Sequence, residues 1–222
     1  MDDPTSERIT TAEMIEAITM ALANARFEGD PCKCKAEEHL APIEAILQRI
    51  ARDKKDVERA LAREEKALEN LDRQAEALVQ SHGEEIWRLL GCPDYDPIYN
   101  ILFPSAATVE AEARAKIERL SLIADLLSNH VHPKIDRAYA TSANLEFQTI
   151  VEDYQERIYL LSKHQFKKSA LDAFEASVAR IGLLELGTLR RHLRGMGIDD
   201  SLVMTIVPPP VSSRRMGPKS ST

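Results

Sequence analysis

Length, composition and charge together favour long helices. The chain has 222 residues with 5% aromatics and 8 glycines, which is typical of helices rather than of a sheet. A formal net charge of −7 argues against general nucleic-acid binding, although residues 189–222 hold six Lys and Arg against two Asp. Three cysteines are too few for a disulfide framework, and neither a signal peptide nor an apolar run of about 18 residues is evident. We therefore expect a soluble, cytoplasmic, all-α protein without a membrane span.

The first predicted helix covers about residues 11–27 and follows a flexible N-terminus, 1–9. Thr10 and Glu13 have the spacing of a capping box. Apolar residues then recur on one helix face at Met14, Ile18, Leu22 and Ala25. The segment GDPCKCK, 29–35, is the predicted connection to the next helix.

Proline and glycine are absent from 43–82, 105–132 and 134–181, and these runs are predicted to be three long helices. The second helix has a heptad seam that alternates steps of four and three residues. The seam consists of Ile43, Leu47, Ile50, Lys54, Val57, Leu61, Glu64, Leu68, Leu71, Ala75 and Leu78. The polar members Lys54 and Glu64 could fix register or partner choice, or could extend their charged ends to solvent.

Similar apolar stripes occur in the next two runs. The third helix has Val109, Ala113, Ile117, Leu120, Ala124, Leu127 and Val131. The fourth has Phe147, Val151, Tyr154, Ile158 and Leu161, and then shifts phase to Leu171, Phe174, Val178 and Ile181. Three stripes predict mutual packing as an elongated antiparallel bundle over 10–182, a coiled-coil rod. Residues 91–104 should close one end of the bundle, or alternatively dock a partner.

The chain changes character after Gly182. Residues 183–198 are predicted to form a short basic helix that carries Arg190, Arg191, His192 and Arg194. A solvated helix end is one interpretation of this patch, and regulatory nucleic-acid binding through 183–197 is the alternative.

The last segment, 199–222, combines an apolar stretch with a tail predicted to be disordered. The stretch SLVMTIV, 201–207, has no other strand to pair with. It either packs on the helices or docks on a partner through Val203, Ile206 and Val207, with help from Arg214 and Arg215 in the tail.

Candidate metal ligands occur near a proline. His132 and Asp136 are spaced i,i+4 and would share a helix face, and Pro133 should kink the helix near Asn129. The preferred interpretation is a His and Asp pair that braces this kink. A metal or cofactor site that also includes His164 is the alternative.

A second group of possible ligands is Cys32, Cys34 and His39. A structural zinc site usually has four ligands with two to four residues between the cysteines, so this spacing departs from the zinc pattern. A reduced loop without metal is the preferred interpretation.

The sequence contains no phosphate-binding loop, nucleophile elbow or complete dinucleotide-binding glycine motif. We therefore predict a non-enzymatic helical scaffold or adaptor without a cofactor. It would bind a protein partner, or itself as a homo-oligomer, through coiled-coil helices and the C-terminal docking segment.

Overall fold

The computed structural model describes residues 9–103 and 113–208, and the regular structure in these ranges is entirely helical. The helices are α1 (Thr11–Glu28), α2 (Cys32–Leu89), α3 (Pro97–Leu102), α4 (Ala113–Ser128), α5 (Arg137–Gly195) and α6 (Asp200–Ile206). The prediction of an all-α helical bundle is confirmed. Most of the predicted flexible N-terminus, residues 1–8, and the tail with Arg214 and Arg215 lie outside the described residues.

Two very long helices dominate the described chain, where the sequence predicted three. α2 has 58 residues and α5 has 59. α2 continues through Pro42, where one lost backbone hydrogen bond is offset by the buried flanking residues Leu40 and Ile43. α4, by contrast, has 16 residues and ends at Ser128.

The short basic helix predicted over 183–198 is instead the last part of α5, which passes through Gly182 and Gly187 without a break. Glycine costs only about 1 kcal/mol relative to alanine inside a helix, so tertiary packing can override it. The helix ends where Gly197 takes a positive φ of 79° and the Ile198 amide donates to the Leu193 carbonyl oxygen, as in a Schellman cap.

The chain divides into two compact units, where the sequence predicted one bundle over 10–182. Unit 1 comprises the described parts of Met1–Val57 and Lys167–Thr222, and unit 2 comprises those of Glu58–Phe166. α2 and α5 each contribute residues to both units. Within each unit these two helices run antiparallel, because residues later in α5 contact residues earlier in α2.

Unit 1 is built from α1, the first part of α2, the last part of α5 and α6. The capping box at Thr10 and Glu13 is formed and begins α1 as predicted. Ile18, Leu22, Leu40, Leu189 and Leu193 are fully buried in the core.

Ion pairs within unit 1 set the register of α2 against α5. Lys54 Nζ lies 2.7 Å from Asp172 Oδ1 and 3.0 Å from Glu175 Oε2. These two carboxylates raise the pKa of Lys54 through hydrogen bonds and charge. Lys54, a polar position of the predicted seam, therefore forms its ion pairs within this chain.

Unit 2 contains the later part of α2, α3, α4 and the first part of α5. Ile86, Ile123, Phe147 and Tyr154 are fully buried there. The predicted turn of helix within 91–104 is α3, with Asp96 as its N-cap. Leu102 and Phe103, at the end of this segment, are buried in the same core, so it covers apolar surface as expected.

The second polar seam position lies in unit 2. Glu64 is buried and accepts a hydrogen bond of 3.1 Å from Arg157 of α5. No member of the predicted α2 seam is exposed, so the heptad spacing correctly marks the packed face of this helix.

The stripe predicted for the fourth helix is correct only in part. Phe147, Val151 and Tyr154 are buried, but Phe174 and Ile181 are 53% and 54% exposed. The prediction that the buried stripe shifts phase onto these two residues is wrong, because they lie on a different face of α5 from the buried ones.

Candidate functional site

The predicted His132, Asp136 and His164 ligands are not brought together. His132 Nε2 lies 3.2 Å from Asp96 Oδ2, whereas Asp136 precedes α5 and accepts hydrogen bonds from the amides of Ala138 and Tyr139. His164 lies 27 residues into α5, about 40 Å along the helix from that first turn at 1.5 Å per residue. Asp136 and His164 therefore cannot share an ion.

The predicted kink at Pro133 is a helix end. Val131 N donates to the Leu126 carbonyl oxygen and His130 takes a φ of 50°, which is a Schellman cap with histidine in the usual glycine place. A cleft beside it is lined by Ile98, Leu102 and His132 among others. Its cavity volume of about 10 Å³ leaves room for about one water molecule and for no organic ligand.

Cys32, Cys34 and His39 also fail to converge. Cys32 is buried in the core of unit 1, and burial raises the pKa of its thiol. Cys34 is exposed and donates to Asp30, whose hydrogen bond and charge raise its pKa. A cysteine binds metal as the thiolate, so both shifts disfavour binding. Among the described residues no group of three His, Cys, Asp or Glu side chains could hold a metal ion.

His39 has partners that the sequence analysis missed. Its Nδ1 lies 2.8 Å from Glu185 Oε2 and its Nε2 lies 2.9 Å from His192 Nδ1. His39 Nε2 and His192 Nδ1 are in direct hydrogen-bond contact, so no metal ion fits between the two rings. The antiparallel register of α2 and α5 is the signal that could have paired these distant residues.

The basic residues near the end of α5 are engaged inside unit 1. Arg190 donates to the carbonyl oxygens of Val207 and Pro208, and Arg194 lies 2.7 Å from Asp200. Arg191 donates to Thr188. Two of these guanidinium groups thus fasten the segment around α6, and this arrangement does not favour the nucleic-acid alternative.

Of the two alternatives predicted for Val203, Ile206 and Val207, the structure shows packing on the helices of unit 1. SLVMTIV lies in and around α6, and these three side chains are fully buried in the core of unit 1. Asn24 of α1 also donates to the Thr205 carbonyl oxygen. Asp199 caps the first turn of α6 by accepting a hydrogen bond from the Ser201 amide, which favours the helix. This capping signal was present in the sequence, but the β-branched residues of the segment suggested a strand instead.

The most prominent surface feature is a line of exposed apolar side chains on α5. This α5 stripe consists of Leu145, Tyr159, Phe166, Phe174, Ile181 and Leu184. At 3.6 residues per turn, Leu145, Tyr159 and Phe166 of unit 2 fall within an arc of about 60°. Phe174, Ile181 and Leu184 of unit 1 fall within an arc of about 80°. Tyr159 and Phe166 are 66% and 76% exposed, although both are large aromatic residues. Singly scattered exposed apolar residues are ordinary, so the alignment on one helix is what distinguishes these residues.

Charged residues accompany the α5 stripe in two blocks. Glu152 and Glu156 are exposed near its start, and Lys163 and Lys167 are exposed around Phe166. None of these four side chains forms a salt bridge with another described residue. At 3.6 residues per turn Glu152 and Lys163 fall within the arc of Leu145, Tyr159 and Phe166, so charged groups face solvent among the apolar side chains.

Comparison with protein-family models, curated proteins and solved structures gave no match to this chain. In the part of the chain that the structure describes, no helix has the length and apolar character needed to cross a membrane.

Proposed function

We propose that this protein is a non-enzymatic helical scaffold or adaptor that binds a helical protein partner through the α5 stripe. One observation carries the proposal: six large apolar side chains are exposed along a single face of one helix. Exposing them to water is unfavourable by roughly 25 cal/mol per Å² of apolar surface, so a partner that covers them gains free energy. The docking surface is thus α5 rather than the C-terminal segment.

The geometry suits a helix as the partner. Tyr159, Phe166 and Phe174 recur at steps of seven and eight residues. A second helix that packs along α5 would meet a contact on every second turn, as in helix-in-groove and coiled-coil recognition. A globular partner would cover only a short part of such a line.

The proposal keeps the cytoplasmic location predicted from the sequence. Cys32, Cys34 and Cys92 are free thiols, which supports a reducing compartment. A cytoplasmic protein partner would then be accessible to the α5 stripe.

Site-specific photo-cross-linking in the native host tests this function. A photoreactive residue at position 166 should yield discrete cross-linked products, because Phe166 is the most exposed aromatic of the stripe. The matched control is position 122 on α4, where Leu122 is also apolar and 46% exposed but lies off the stripe. Equal cross-linking from both positions, or none from position 166, would contradict the proposal.

A further inference from the structure

We infer that the helix that docks on the unit 1 part of α5 is an acidic amphipathic helix of a partner protein. The inference rests on the proposed function and names the chemistry of the partner for this part of the α5 stripe. It is carried by a seam of apolar and small side chains on the outer face of α5, and by the unpaired charges of α5 around that seam, which are all positive.

Six residues of α5 recur on its outer face at alternating steps of four and three. They form what we call the outer seam, which consists of Ala170, Phe174, Ser177, Ile181, Leu184 and Thr188. All six belong to unit 1, and Phe174, Ile181 and Leu184 are 53%, 54% and 72% exposed. The alternation is the spacing of a coiled-coil seam, so the outer seam has the geometry to receive a second helix.

The cations of this part of α5 lie around the outer seam rather than within it. At 3.6 residues per turn the six seam residues span about 80°, Arg180 falls about 40° outside that arc, and no charged residue between 170 and 188 falls inside it. Lys167 lies three residues before the first seam residue, and Arg191 lies three residues after the last. All three basic side chains are exposed, and none forms a salt bridge with another described residue.

The carboxylates of the same stretch are already engaged within unit 1. Lys54 Nζ lies 2.7 Å from Asp172 and 3.0 Å from Glu175, and Glu185 Oε2 lies 2.8 Å from His39 Nδ1. The open charge on this part of α5 is therefore positive, although the whole chain has a formal net charge of −7. A docked helix gains ion pairs with these cations only where its own residues beside the seam are Glu or Asp.

A helix fits this surface better than a lipid bilayer does. A helix that lies in a membrane surface buries a broad apolar face, whereas the outer seam spans only about 80° and includes Ser177 and Thr188. A narrow seam is typical of paired helices. Width and charge together therefore favour an acidic amphipathic helix as the occupant.

Binding of two designed peptides to the full-length chain tests the inference. Both peptides are amphipathic helices with the same leucine seam, and one carries Glu while the other carries Lys on both sides of the leucines. Fluorescence anisotropy at low salt should show that the acidic peptide binds about tenfold more tightly, and high salt should reduce this preference. The net charge of the whole chain favours the basic peptide, so a preference for the acidic one reports a local basic surface.

Charge reversal locates the binding site on the protein. The triple variant Lys167→Glu, Arg180→Glu and Arg191→Glu should lose the preference for the acidic peptide, because each pair with a Glu of the peptide becomes repulsive. All three positions are exposed, so circular dichroism should show unchanged helicity.

The matched control reverses three exposed basic residues of α2 in the same unit. Lys33→Glu, Arg52→Glu and Lys55→Glu change the formal net charge by the same amount and should keep the preference for the acidic peptide. Failure of the acidic peptide to bind, equal or tighter binding of the basic peptide, or an equal loss of preference in both triple variants would each overturn the inference. Binding of the parent to vesicles of phosphatidylserine and phosphatidylcholine, without preference for the acidic peptide, would assign the outer seam to a membrane instead.

Failure here is distinguishable from failure of the proposed function. If position 166 cross-links to a protein and the acidic peptide is not preferred, the helical adaptor function holds and the acidic partner is wrong. If position 166 cross-links to nothing, the proposed function itself fails.

Discussion

Gly182 lies where α5 meets two other helices of unit 1. A Cβ atom placed there would be 2.2 Å from Ile18 Cδ1 and 3.2 Å from Ile43 Cγ2. The absence of a side chain is what lets these isoleucines approach α5. In the sequence, Gly182 suggested a helix boundary. Glycine is favoured both where helices pack closely and where a helix ends, so the sequence alone did not distinguish the two.

We expect Gly182→Ala to lower the free energy of unfolding by about 1–3 kcal/mol, because it overpacks a tight core. Gly187→Ala is the matched control, since it lies in the same helix and its Cβ would meet nothing within 4 Å. This substitution should stabilise the protein by about 0.5–1 kcal/mol through helix propensity. Urea denaturation of both variants measures the difference. Equal effects would show that Gly182 is not a packing position.

Asp72 has a lowered pKa in unit 2. Burial raises it, but hydrogen bonds from Lys116 and Tyr154 and the charge of Lys116 outweigh burial and bring it below the ordinary value of 3.8. A carboxyl whose pKa is lowered by folding stabilises the protein above its unfolded pKa. That contribution is lost as the pH falls through the folded value.

We therefore expect Asp72→Asn to destabilise the protein at neutral pH and to cost progressively less below about pH 4. Thermal melting of parent and variant across this range measures the effect. A difference in melting temperature that stays constant down to the most acidic condition would show that the Asp72 ionisation contributes nothing to stability.

At the scale of the elements, α6 shows how a short segment is held by its neighbours. Val203, Ile206 and Val207 are fully buried, whereas Met204 is 41% exposed on the same helix. Two hydrogen bonds from Arg190 to the carbonyl oxygens of Val207 and Pro208 fix the end of the segment. The described part of the C-terminus is therefore integral to unit 1.

We expect Ile206→Ala to reduce the free energy of unfolding by about 2–5 kcal/mol, because it leaves a cavity in a packed core. Met204→Ala should change it by no more than about 0.5 kcal/mol, since its side chain faces solvent. Differential scanning calorimetry of the two variants compares them directly. If Ile206→Ala melts like the parent, α6 is detachable after all.

The sequence predicted the helices better than their contacts. The α2 seam from Ile43 to Leu78 was identified because a heptad repeat reports a buried face directly. Phe174 and Ile181 were misassigned because an exposed apolar stripe and a core stripe have the same period. The contact of His39 with His192 was missed because periodicity carries no information about which residues of two helices are opposite each other.

At the scale of the whole molecule, α5 contributes buried residues to the core on one face and exposed apolar residues on another. The face of α5 with Phe147 and Tyr154 is buried within unit 2, and its α5 stripe remains open to solvent. Lys54 and Glu64, which could have selected an external partner, are paired with Asp172, Glu175 and Arg157 of the same chain. Under the proposed function, partner choice then falls to the α5 stripe.

Removal of the stripe tests the central claim most directly. Sedimentation velocity of the fluorescently tagged chain in an extract of its own cells would compare the parent, a Tyr159→Ser and Phe166→Ser double variant, and the Leu122→Ser control. We predict that parent and control sediment as an assembly larger than the 24.9 kDa chain, and that the double variant sediments as a monomer with unchanged helicity. If all three chains sediment alike, the α5 stripe is not an assembly surface and the account is contradicted.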